Sequence, residues 1–160
     1  MPRAKKTLKN LWVIFALGGL QGFLGWFMVK SGLTKNPEVS HYRLATHLVT
    51  AFGLYCYIFW VALTLIFPHQ DKIKKPLKSI KKLGAPLLII TVLQIIYGAF
   101  VAGLKAGLIY NTWPKMGTEW IAESVTYKIT QTGLISFANN MASVQFIHRN
   151  LALVVFFFVA

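Results

Sequence analysis

One cysteine, Cys56, stands in the middle of an apolar run. A single thiol excludes an intrachain disulfide and a cysteine-built metal site, and leaves it a packing role. Charge is scarce too: 13% of residues are charged and 56% hydrophobic, with a mean hydropathy of +0.56. That is too little polar surface to clothe a water-soluble globule. Acids are scarcest, 4 against 17 Lys and Arg. The net charge of +13 would suggest nucleic acid in a soluble chain. These lysines, however, lack the interleaved aromatics that stack bases, so no nucleic-acid partner is expected. The basic N-terminus also lacks a small-residue cleavage site, and its apolar stretch is too long for a signal peptide. It reads as a retained span.

What is present is apolar length. Leu11–Val29, Leu44–Phe67, Pro86–Leu104 and Met141–Ala160 are each about the 20 residues a helix needs to cross the hydrocarbon core. The fold class is all-α: a multi-pass transmembrane helical bundle, three complete spans and the start of a fourth, in a lipid bilayer. Lys and Arg number 4 in residues 1–10 and 6 in residues 68–83, on one side if the first three runs span. Lys30, Lys35, Arg43, Lys105, Lys115 and Lys128 fall on the other, diluted by Glu38, Glu119 and Glu123. With Asp71 the sides compare as 10 − 1 = +9 and 6 − 3 = +3. The positive-inside rule then puts the N-terminus and the Lys-rich connector in the cytoplasm. Trp113, Trp120 and Tyr110 in the second outer loop suit the headgroup zone.

Gly18, Gly22 and Gly25 form a small-residue stripe on the first helix. A faint internal echo links the first and third helices: Gln21-x-x-x-Gly25-x-Phe27 matches Gln94-x-x-x-Gly98-x-Phe100. An outward helix of one type used twice would suit a duplicated architecture.

The histidines divide. His69, after Pro68, reads as solvated, and His41 as a loop residue without a ligand partner. His47 and His148 lie inside inward-running helices at comparable depth, near the outer face. One turn on, each is followed by alanine, Ala51 and Ala152, which a flat macrocycle against the helix would require. Neutral imidazole is a standard axial ligand for haem iron, and Arg43 and Arg149 could meet anionic propionates. Interhelical hydrogen bonds or an ion path fit the same residues, so the residues alone leave these readings open.

"QGFLGWFMVKSGL", "VSHYRLATHL", "GAFVAGLKAGLIYNTWPKMG" and "VQFIHR", in this order, resemble the haem A synthase family in its alphaproteobacterial and mitochondrial-type branch. The resemblance runs from Leu11 onward. It implies an inner-membrane oxidoreductase of eight helices in two halves, each holding haem between paired histidines. One half binds the substrate haem O and oxidises its C8 methyl to a formyl group, making haem A for terminal oxidases; the other holds haem b as cofactor. By motif, His47 in "RLATHL" matches the second histidine of the substrate half, and His148 in "QFIHR" the first of the cofactor half. Each partner histidine is then expected on a helix outside this chain, not in a clamp of His47 on His148. The family's acid, three residues before a histidine, has no counterpart: Gln145 stands there before His148.

The domains are expected as residues 1–67 (end of the substrate half), 68–83 (cytoplasmic linker) and 84–160 (start of the cofactor half). The chain is accordingly expected to be a central fragment, inactive alone and dependent on further segments in trans or on a homo-oligomer. The resemblance also admits haem O synthase as a partner. Two other classes stay open. A b-type haem electron carrier would need a complete bis-histidine pair, and a non-functional membrane scaffold would bind no haem.

Overall fold

The structure, a computed structural model, describes residues 2–32, 40–67 and 78–160. Pro37, His69, Asp71 and the lysines 35, 72, 74 and 75 fall outside those residues.

The four apolar runs form long helices: α1 Pro2–Gly32, α2 His41–Ile66, α3 Lys78–Gly103 and α6 Met141–Val159. Within them, segments of 27, 26, 22 and 19 residues are long and apolar enough to cross a membrane. Three helix starts move from the hydropathy reading, α1 beginning at Pro2, nine residues before its apolar run. Helix α2 starts at His41, three residues before the apolar run, because Asn139 anchors its first turn. The Tyr42 hydroxyl donates to Asn139 Oδ1 at 2.8 Å, and His41 Nε2 lies 3.2 Å from the same oxygen. Helix α3 starts at Lys78, so Pro86 lies inside it and the linker's last residues are helical. A proline removes one ladder bond there, a loss that water can offset near a polar helix end.

Helix α3 packs against both α2 and α6, and α1 packs against α2. The core between α2, α3 and α6 is Ala45, Ala99, Phe100 and Val144, with Ile96 and Tyr97 against it. Small side chains dominate because bilayer helices associate by close packing, without a hydrophobic drive between them. The tightest point is Gly103, where an added Cβ would lie 2.7 Å from His41 Cβ.

The segment between α3 and α6 is built rather than loose. It holds α4 Glu123–Thr132 and the single turn α5 Ser136–Asn139. Met116, Ala122, Val125 and Ala142 make a second apolar cluster, backed by Tyr110, Ile129 and Phe146. Glu119 Oε2 accepts the Glu123 backbone N–H at 2.9 Å at the start of α4. Asn140 caps α6, its side chain accepting the Ser143 N–H at 2.9 Å.

Candidate functional site

His47 is six residues past the start of α2, and His148 seven past the start of α6. At 1.5 Å per residue both rings leave their helices about 9–10 Å from the same kind of end. The depth match read from the sequence holds. The rings nonetheless sit in different places, because α3 stands between α2 and α6.

Each imidazole rests on a glycine of the preceding long helix. A Cβ on Gly25 of α1 would come 3.3 Å from His47 Cε1, and one on Gly98 of α3 would come 3.2 Å from His148 Cε1. Each glycine is four residues after a glutamine on its own helix, so glutamine and glycine share a face. The echo of Gln21 and Gly25 with Gln94 and Gly98 is therefore a repeated seat for a histidine. Gly25 belongs to the stripe the sequence offered for packing, but its neighbour is the ring itself.

The two seats differ in their hydrogen bonds. Gln21 Nε2 donates to the His47 carbonyl at 2.8 Å and lies 3.0 Å from His47 Nδ1. The Thr50 hydroxyl donates to Gln21 Oε1 at 2.9 Å, completing that amide. In the second seat Gln94 Oε1 and His148 Nδ1 are both buried without a partner. Buried polar atoms are nearly always paired, so these two call for a partner.

Arg43 is exposed, its guanidinium carbon 5.5 Å from the centre of the Phe27 ring. Arg149 turns to the segment between α3 and α6 instead. It donates to the Thr112 carbonyl at 2.9 Å and also to the Tyr110 carbonyl. Gln145, buried beside it, donates to the Tyr110 carbonyl at 2.8 Å. The turn that follows is fixed by Thr112, whose hydroxyl accepts the Gly117 N–H at 2.7 Å and donates to the Lys115 carbonyl at 2.9 Å. The motif "YNTWPKMG" is thus strapped to the helix that carries His148. Arg149, Asn150, Phe146, Trp113 and Trp120 line a small pocket there of about 100 Å³.

Among the described residues no three His, Cys, Asp or Glu side chains converge on one point. A mononuclear site built from side chains alone is not what these residues make. A macrocyclic iron that asks the protein for one imidazole on a face fits them better: each ring lies on a glycine, and one has a free second nitrogen.

Residues 2–160 match a family described as cytochrome oxidase assembly protein. The haem A synthase of Flavobacterium johnsoniae is 50% identical over 149 residues, covering 91% of this chain and 42% of its own length. That of Wolbachia pipientis is 45% identical over 155 residues, covering 95% and 43%. The haem A synthase COX15 of Arabidopsis thaliana is 44% identical over 149 residues, covering 87% and 32%. The chain thus spans about two fifths of the length of the bacterial relatives it matches. No solved structure matches it.

Proposed function

The chain belongs to the cytochrome oxidase assembly family, and from that premise we propose that its multi-pass bundle carries one histidine from each of two haem sites of a haem A synthase. The observation that carries this is the repeated seat, His47 on Gly25 and His148 on Gly98. One seat belongs to the half that takes haem O as substrate and converts its C8 methyl to a formyl group. The other belongs to the half that holds haem b. When bound, the cofactor haem supplies one-electron redox chemistry.

The chain's own residues bind and orient. His47 and His148 each offer one axial nitrogen, and Gly25 and Gly98 let the imidazoles lie against α1 and α3. A second protein ligand to either haem would have to come from another segment of the enzyme or from a second copy. Arg43 offers an exposed guanidinium to propionates. Arg149 is assigned the same role at the His148 haem through donors not committed to Tyr110 and Thr112. The +9 against +3 charge difference supports an inner-membrane protein with its N-terminus and Lys-rich connector in the cytoplasm. Both histidines then lie toward the outer face.

Extraction of pigments from membranes making haem O, with the protein expressed from its own gene, tests the activity. Haem A should accumulate when the wild-type chain is expressed together with the segments or second copy that would complete its sites, and fall to background in His47→Ala and in His148→Ala. Undiminished haem A in either variant would contradict the assignment of that histidine.

A further inference from the structure

Gln21 and Gln94 sit one turn before the two seat glycines, on the helices the histidines face. Nothing in the haem reading uses them. A haem-ligating histidine uses one ring nitrogen for iron, and the other then carries a proton that needs an acceptor. In the His148 seat the two halves of such a bond are both present and both unmade. Gln94 Oε1 is a buried acceptor without a donor, and His148 Nδ1 a buried ring nitrogen without a partner. In the His47 seat the equivalent amide already reaches the ring, Gln21 Nε2 lying 3.0 Å from His47 Nδ1.

Resting on the haem reading above, we infer that Gln21 and Gln94 are positioning residues, each supplying through its Oε1 the acceptor for the Nδ1–H of its histidine when Nε2 holds iron. With its amide nitrogen 3.0 Å from the ring, Gln21 would donate to His47 Nδ1 and leave the proton on Nε2, the nitrogen that iron would need. Iron at Nε2 would require the other tautomer, with the amide turned over to present its oxygen and its bonds to the Thr50 hydroxyl and the His47 carbonyl given up. The second seat needs no such exchange, because Gln94 Oε1 has no bond to give up. A competing acceptor for the same Nδ1–H would be the main-chain carbonyl of Gln94.

Gln94→Leu and Gln94→Glu separate the two acceptors, since neither substitution removes the backbone carbonyl. The readouts are haem affinity and reduction potential of the His148-dependent haem in the protein purified from membranes. Gln94→Leu is expected to weaken haem binding about 10- to 100-fold, the usual loss for an outer-shell partner, and to raise the potential, because the ligand becomes less basic. Gln94→Glu keeps an oxygen acceptor in either protonation state and holds both values at or below the wild-type potential and near its affinity. The corresponding changes at Gln21 act on the His47 haem and leave the other alone. Wild-type affinity and potential in Gln94→Leu, or a Glu variant that behaves as the Leu variant does, would overturn the inference while the haem reading stands. A wild-type protein with no His148-dependent haem would overturn both.

Discussion

At the scale of a residue, glycines of two kinds face histidines, and they predict different failures. A Cβ on Gly103 would meet His41 Cβ at 2.7 Å and His41 Cα at 2.8 Å, so backbone would have to move. Gly103→Ala should cost about 1–3 kcal/mol as an overpacked contact, seen as a lower melting temperature in detergent. An unchanged melt would mean that α2 and α3 do not approach as closely as described. A Cβ on Gly98 meets only the Cε1 end of the His148 ring at 3.2 Å, which a side chain can yield. Gly98→Ala should therefore leave the melt nearly unchanged and lower haem occupancy at His148 alone. Arg149→Gln tests the propionate role at the same scale: haem binding as tight as the wild type would remove Arg149 from that role.

At the scale of an element, the segment between α3 and α6 owes its order to side chains that reach back from α6. Gln145 and Arg149 share the Tyr110 carbonyl, and Arg149 also holds that of Thr112. Arg149→Met leaves Thr112 without this donor, and we expect faster protease cleavage between residues 104 and 122 with α2 and α3 unaffected. Loss of such a bond costs about 1–3 kcal/mol where the carbonyl stays buried. Protection equal to the wild type would show that the apolar cluster of Met116, Ala122 and Val125 suffices. The four long helices were legible in the sequence because apolar length is the signal itself. The start of α2 at His41 was not, because Asn139, the residue that anchors it, is 98 positions away. Nor were the helices of that segment, whose composition is polar on one face. The histidines and arginines stood out as ionisable groups in apolar runs, and the Gln–Gly echo was visible as a pattern. What the pattern lacked was its partner: only the packing of α1 on α2 and of α3 on α6 turns a helix repeat into two seats.

At the scale of the whole molecule, one arrangement, a histidine ring against a glycine, occurs in two places. The seats share the order glutamine, glycine, then a histidine on a later helix, and α3 divides them. Large apolar side chains such as Trp12, Phe15, Phe59 and Phe157 are exposed along the helices, as suits lipid-facing surface. The most direct test is low-temperature electron paramagnetic resonance of the oxidised protein purified from membranes, comparing the wild type with His47→Ala and His148→Ala. Two haem signals are predicted, with each variant losing a different one and keeping the other. A single signal that disappears in both variants would contradict the account, since it would place His47 and His148 on the same iron.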